Sequence, residues 1–147
     1  MMTDSLRTQT VDQLNSFLRG ELSAAESYRQ ALEKLASSSH RQVFEQCARS
    51  HEQRVALLSR EVRRLGGSPA ESSGAWGTFA KLVTNGAQAM GEKAAIMALE
   101  EGEDHGRNDY QRDLKDLDPE ARRFVETQIL TEQQRTHDAL SAIKKAM

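Results

Sequence analysis

The chain has 147 residues, with 20 Lys and Arg against 22 Asp and Glu, and this near-neutral balance gives no reason to expect nucleic acid as a partner. Its single cysteine, Cys47, excludes an intramolecular disulfide, which fits a reducing cytoplasm. No apolar run approaches the roughly 18 residues that would cross a membrane, and the N-terminal residues lack the apolar core of a secretion signal. We therefore expect a cytoplasmic protein without a membrane or nucleic-acid partner.

A first helix is predicted over about residues 9–36, with Thr8 or Thr10 as its N-cap. Glycine and proline are scarce and helix formers dominate, so the whole fold should be all-α. The apolar residues of this segment follow a 3–4–3–4 spacing, which is typical of a helix in a bundle. Glu21 occupies one of these apolar positions. It is therefore the first candidate for a buried functional side chain.

A second helix is predicted over about residues 39–65, because Gly66 and Gly67 form a strong C-terminal signal. His51 lies inside its apolar stripe. The stripe is otherwise formed by Phe44, Ala48, Val55, Leu58, Val62 and Leu65. His51 is therefore the second candidate for a buried functional side chain.

Residues 67–88 form a connection that is long for a helix bundle, where 2–8 residues are usual. We expect it to hold one short helix from Trp76 to Val83, ended by Asn85 and Gly86. The aromatic side chain of Trp76 should pack on the bundle as a cap of the core.

A third helix is predicted over about residues 87–117 and a fourth over 119–146, since Asp118 and Pro119 form an N-cap and first-turn signature. In the acidic stretch EEGEDH, helical spacing turns Glu103 and Glu100 toward the bundle. The other acidic residues and His105 are expected near solvent. The inward stripe of the fourth helix is Val125, Ile129, Gln133, Thr136 or His137, Leu140, Ile143 and Met147.

The two halves of the sequence agree when one is shifted by 82 residues. Residues 20–35 (GELSAAESYRQALEKL) then lie over residues 102–117 (GEDHGRNDYQRDLKDL), and Glu21 and Tyr28 meet Glu103 and Tyr110. An internal duplication predicts two helical hairpins joined by one long crossover with a short extra helix. This is the ferritin-like antiparallel four-helix bundle, and a pseudo-two-fold axis would place both glutamates in one core layer.

Two carboxylates in a bundle core must be neutralised, because an unpaired buried carboxylate costs several kcal/mol. One hypothesis is a metal ion, such as iron, zinc or manganese. Its candidate ligands are Glu21, His51, Glu100, Glu103 and His137, and its supporting residues are Tyr28, Tyr110, Gln133 and Cys47. The alternatives are outward rotation of both glutamates and a metal-free layer with ion pairs from Glu21 to His51 and from Glu103 to His137. In the metal-free layer the two tyrosine hydroxyls would assist.

The layout resembles ferritin-like proteins, including bacterioferritin and rubrerythrin. More closely, it resembles a family of small bacterial ferritin-like proteins described only as a domain of unknown function. The matching features are LGGSP after helix two, LEEGEDH followed by Tyr110, and the pair His137-Asp138. The resemblance implies glutamates and histidines as metal ligands, but Ala48 and Gln134 stand where bridging carboxylates belong.

These departures predict an incomplete di-metal ligand set, which argues against an enzyme. The leading hypothesis is therefore a bundle that is non-catalytic or binds a metal weakly, with a stress or metal-handling role by analogy. One alternative is an iron-oxidising di-metal enzyme. The other is a metal-free bundle that forms homo-oligomers or binds a protein partner.

Overall fold

A computed structural model describes residues 2–147, except for the side chains of Ala75, Trp76 and Thr78. The expected packing of Trp76 therefore lies outside the described residues. Over the described range the chain is an all-α helical bundle, as predicted. Its helices are α1 (Asp4–Lys34), α2 (Arg41–Arg64), α3 (Thr78–Ala89), α4 (Glu92–Asp113), α5 (Pro119–Gln128) and α6 (Leu130–Ala146), with 3₁₀ turns at Gly74–Gly77 and Leu114–Asp116.

Helix α1 begins earlier than expected. Thr3 is its N-cap, and the Thr3 hydroxyl accepts a hydrogen bond from the Leu6 backbone N–H. The proposed cap Thr10 instead lies fully buried, and its hydroxyl accepts a hydrogen bond from the Asp118 backbone N–H at 3.1 Å. Asp118 is itself the N-cap of α5, as its sequence context predicts. Thr10 thus ties α1 to the start of the last hairpin arm.

The crossover also differs from the prediction. Helix α3 continues through Gly86 to Ala89, and α4 starts only at Glu92 because Gly91 adopts a φ of +86° and ends the helical path. Gly86 lies in close contact with α4 and does not terminate the helix. A Cβ there would lie 3.3 Å from the Ala94 backbone carbonyl carbon.

The predicted fourth helix is divided into α5 and α6 at Ile129, whose φ of −117° departs from helical geometry. The hydrogen bonds from the Ile129 N–H to Val125 and from the Gln133 N–H to Ile129 are nevertheless made. Backbone hydrogen bonding therefore continues across the break.

The helices pack as antiparallel neighbours: α1 against α2, α1 against α4, and α4 against α6. Helix α3 lies across both α1 and α4. Two apolar clusters fill the core, one around Leu14, Leu58 and Val125, the other around Phe44, Ile96 and Leu140. Among the described residues, no helix combines the length and apolar character that a membrane crossing requires.

Candidate functional site

A layer of charged side chains separates the two apolar clusters. Glu21 comes from α1, Glu103 from α4, and both His51 and Arg54 from α2. Each of these four side chains is at most 4% exposed. Charged residues are almost never buried to this extent unless they are paired, so the contacts within the layer decide its chemistry.

The His51 ring bridges the two glutamates. Its Nδ1 lies 2.6 Å from Glu21 Oε1, and its Nε2 lies 2.8 Å from Glu103 Oε2. Both ring nitrogens can donate only when the imidazole is protonated. Burial and the Arg54 charge each lower the pKa of His51, but the two carboxylates outweigh them and raise it above its usual value. The two carboxylates therefore favour the imidazolium form of His51, and the Arg54 guanidinium, whose Nη2 lies 3.0 Å from His51 Nε2, opposes it.

Arg54 supplies a second cation to the layer. Its Nη1 lies 3.4 Å from Glu21 Oε2, and its Nη2 donates a 2.8 Å hydrogen bond to the Thr136 hydroxyl. Burial raises the pKa of each glutamate, yet the two cations lower both, and the pKa of Glu103 falls to about 2. Two carboxylates therefore face two cations, and the layer closes at zero net charge.

Two tyrosines complete the layer reciprocally. The Tyr28 hydroxyl donates to Glu103 Oε2 at 2.8 Å, and the Tyr110 hydroxyl donates to Glu21 Oε2 at 2.6 Å. Burial and the neighbouring carboxylate raise the pKa of both hydroxyls well above the usual value. Both phenols therefore stay neutral, and each tyrosine binds the glutamate of the other hairpin.

Glu103 accepts a third hydrogen bond, from the Thr136 hydroxyl, at 2.8 Å. Thr136, and not His137, thus holds the inward position on α6. His137 turns sideways, where its Nε2 contacts Asp104 at 2.6 Å and Arg107 at 3.0 Å. The expected Glu103–His137 ion pair is therefore not formed.

Glu100 also lies outside the layer. It faces α6 and accepts an ion-pair contact from Lys144 Nζ at 3.3 Å. Three positions along a helix turn a side chain by roughly 300°, which is enough to move Glu100 off the direction of Glu103. Of the five predicted ligands, the structure therefore brings together Glu21, His51 and Glu103.

Arg54 was missed by sequence reasoning, although it lies one turn after His51 on the same face of α2. A signal was available in the shift by 82 residues, which places Arg54 on Thr136. Thr136 is one of the two residues, with His137, that the sequence allows at the inward position of the fourth helix. Cys47 is 1% exposed in the second apolar cluster. Burial, with the Glu103 charge adding to it, raises the pKa of its thiol to about 12, so it is no thiolate ligand near neutrality.

The donor set does not fit a metal ion in this arrangement. The two carboxylates approach opposite nitrogens of His51, so one ion could not contact that ring and both glutamates together. Arg54 adds a fixed positive charge at the same place. Within the described part of the chain, no three His, Cys, Asp or Glu side chains are grouped so that they could hold a metal ion.

A small cavity of about 40 Å³ adjoins the layer. Most of its lining residues belong to α1 and α4, and the others are His51, Arg54, Phe79 and Gln133. Two buried donor atoms of cavity-lining residues, Arg54 Nη1 and Gln133 Nε2, have no hydrogen-bond partner. The amide nitrogen of Gln133, a predicted supporting residue, makes no hydrogen bond to either glutamate.

A family model described as a domain of unknown function (DUF2383) matches residues 9–116, which is more than half of the chain. The match includes both glutamates, His51, Arg54 and both tyrosines of the layer. It confirms the predicted relation to a family described in those words. No curated protein and no solved structure matches the chain.

Proposed function

Since the chain belongs to the family described as a domain of unknown function (DUF2383), which assigns it no activity, we propose a role from its own residues. The protein is a non-enzymatic, ferritin-like bundle of the bacterial cytoplasm. Its polar layer holds the two hairpins in register with side-chain cations where related bundles hold metal ions. Arg54 carries this proposal, because its guanidinium is buried inside the layer and contacts Glu21 at 3.4 Å.

An internal duplication supports the ferritin-like assignment. The pair Glu21 and Tyr110 mirrors the pair Glu103 and Tyr28, with each hydroxyl donating to a glutamate. Residues at equivalent positions also meet across the layer. Arg54 contacts Thr136, and the Ser50 hydroxyl donates to Glu132 at 2.8 Å; both pairs are separated by 82 positions. Such self-contacts are expected only near a pseudo-two-fold axis.

The register role follows from where the hydrogen bonds go. Every glutamate oxygen in the layer is contacted by a side chain of another helix. A shift of α1 against α4 by one turn, about 5.4 Å, would break the hydrogen bonds from both tyrosine hydroxyls and leave the two carboxylates without these donors. Buried polar groups are best attested as devices that select register. The layer would therefore favour one alignment of the two hairpins, and oligomer or partner contacts would be made by the outer surfaces.

The second candidate function is metal binding or di-metal oxidation, with iron, zinc or manganese. Glu21, Glu103 and His51 would hold the ion. One observation favours it. Arg54 Nη1 makes no hydrogen bond and contacts Glu21 only as an ion pair at 3.4 Å, so this side of the guanidinium is held less firmly in the layer. Metal binding would require Arg54 to leave the layer and the His51 ring to rotate.

The two candidates are separated by metal analysis of wild type, Arg54→Met and Arg49→Met proteins. Each protein is loaded with Fe(II), Mn(II) or Zn(II), desalted and analysed for metal per chain. Arg49 is an exposed arginine of the same helix, so its substitution controls for loss of one positive charge. We expect all three metals to stay far below one equivalent in wild type and in Arg49→Met.

Stoichiometric metal in the wild type, lost in Glu21→Gln and Glu103→Gln, would refute the proposal and establish the second candidate. Oxygen consumption on addition of Fe(II) would then identify an oxidase. Binding that appears only in Arg54→Met would support the view that Arg54 takes the place of a metal cation.

A further inference from the structure

The turn between α3 and α4 depends on a single glycine. Helix α3 ends at Ala89 and α4 begins at Glu92, so that Met90 and Gly91 make the whole connection. Gly91 has a φ of +86° and a ψ of −166°, a backbone region that glycine alone essentially occupies. Met90 is 79% exposed, and a Cβ at Gly91 would meet no heavy atom of the described residues within 4 Å. Side-chain packing therefore does not hold the turn closed.

A continuous helix could replace this turn. If Met90 and Gly91 adopted helical backbone angles, α3 and α4 would form one helix over residues 78–113. The connection before α5 cannot straighten in this way. Pro119 restricts the residue before it to extended geometry, and Asp118 has a ψ of 162°. The α3–α4 turn is therefore suited to act as a hinge between the two hairpins.

The crossover and α3 would stay with the first hairpin when this hinge opens. Asn15 of α1 donates a hydrogen bond to the Ser68 carbonyl at 3.0 Å and accepts one from the Ala70 N–H at 2.8 Å. Further along, the Thr84 hydroxyl of α3 donates to Gln30 Oε1 of α1 at 3.0 Å. Because these contacts join the crossover and α3 to α1, the second hairpin (α4, α5 and α6) would leave as a unit.

The two separated hairpins would expose surfaces that a second copy of the chain matches. Leu14 of the first hairpin shares an apolar cluster with Val125 of the second. In the polar layer, Tyr28 and His51 of the first hairpin contact Glu103 of the second. A second copy carries the same missing half in the same geometry. Reciprocal exchange would therefore restore these contacts, which is why domain swapping is a low-cost route to dimers.

We propose that two copies of the chain exchange their second hairpins by opening the Gly91 turn. Each polar layer of the dimer is then built from both copies: one supplies Glu21 and His51, and the other supplies Glu103 and Thr136. Because the exchange is reciprocal, no hairpin is left without a partner and assembly ends at two copies. The exchange uses the contacts of the layer and does not depend on the proposed register role.

The test is cross-linking between two variants of the full chain, Gln13→Cys and Asp113→Cys. Gln13 Nε2 of α1 lies 3.5 Å from Asp113 Oδ2 of α4, so the new cysteines face each other across the two hairpins. The variants are unfolded, refolded together at high concentration with a reductant, and treated with a short bismaleimide after its removal. The native thiol, Cys47, is buried and does not compete.

A cross-linked product of twice the chain mass is expected from the mixture and from neither variant alone. A dimer that forms without this product would be joined by its outer surface, and it would overturn the proposal. Absence of the product at every concentration would overturn it as well. This outcome is decided with the wild-type hinge, whether or not a hinge variant folds.

Substitution of the hinge gives an independent measurement. Gly91→Ala strains the closed turn and favours the continuous helix, so it should raise the dimer association constant by at least about tenfold in light scattering. Gly66→Ala is the matched control. Gly66 also has a positive φ, +83°, with open space at its Cβ, but Pro69 prevents α2 from continuing. An unchanged constant in Gly91→Ala, or an equal rise in both variants, would refute exchange through this turn.

Discussion

Replacing Arg54 by Met should lower the free energy of unfolding by about 3–5 kcal/mol, the usual cost of removing one partner from a buried ion pair. The guanidinium is 1% exposed and contacts Glu21 and Thr136 within 3.4 Å. Without it, two ionised carboxylates share one imidazolium. A domain is stable by about 5–15 kcal/mol, so the loss is a large fraction of the total.

The assay is urea unfolding followed by circular dichroism, where the midpoint should fall while the slope stays constant. Arg49→Met is the matched control, and it should change stability by no more than about 0.5 kcal/mol because its side chain is exposed. The double variant Arg54→Met, Glu21→Gln should recover part of the loss, since it removes the uncompensated carboxylate as well. A single-variant loss below about 1 kcal/mol, with no recovery in the double variant, would contradict a charge-compensated layer.

Three further predictions follow from the same geometry. The raised pKa of His51 contributes stability that is present below about pH 6.5 and is lost as pH rises through the folded-state pKa. The lowered pKa of Glu103 contributes stability that is present above about pH 4.5 and is lost toward pH 2. The free energy of unfolding, measured against pH, should therefore be largest between these limits, and His51→Gln should remove the decline on the alkaline side. Because burial raises the pKa of Cys47 to about 12, a thiol reagent at pH 8 should label it at the rate of unfolding, and rapid labelling of the folded protein would contradict its placement. Gly86→Ala should destabilise the protein despite a better helix propensity, because the new Cβ would lie 3.3 Å from the backbone of Ala94; a thermal melt with a higher midpoint would refute that contact.

The helical fold could be predicted because its signals are local. Apolar spacing, Gly66 and the Asp118 cap each depend on a few neighbouring residues. The boundaries near residues 87–92 could not be predicted in the same way. Asn85-Gly86 and Gly91 are both plausible stops by composition, and only the close approach of α3 to α4 selects the second.

The polar layer was predictable to the extent that repeat and periodicity coincide. Both criteria select Glu21 and Glu103, and the structure buries both. The rotation of α6 was not predictable, because Thr136 and His137 are adjacent and differ by only 100° on the helix. Arg54 was not predicted, because an arginine on a helix is ordinarily solvated. Its burial is explained only by its contacts with Glu21 and Thr136 on other helices.

Charge balance explains why the two halves differ where they do. The shift by 82 residues repeats the glutamates, so each half brings one negative charge to the layer. His51 and Arg54 correspond to the neutral residues Gln133 and Thr136. If both halves carried the histidine and the arginine, the layer would hold two excess positive charges. Unpaired charges in a protein core are strongly unfavourable. The two cations, both from the first half, therefore compensate the carboxylates of both halves. This asymmetry leaves the Gln133 amide nitrogen without a hydrogen-bond partner.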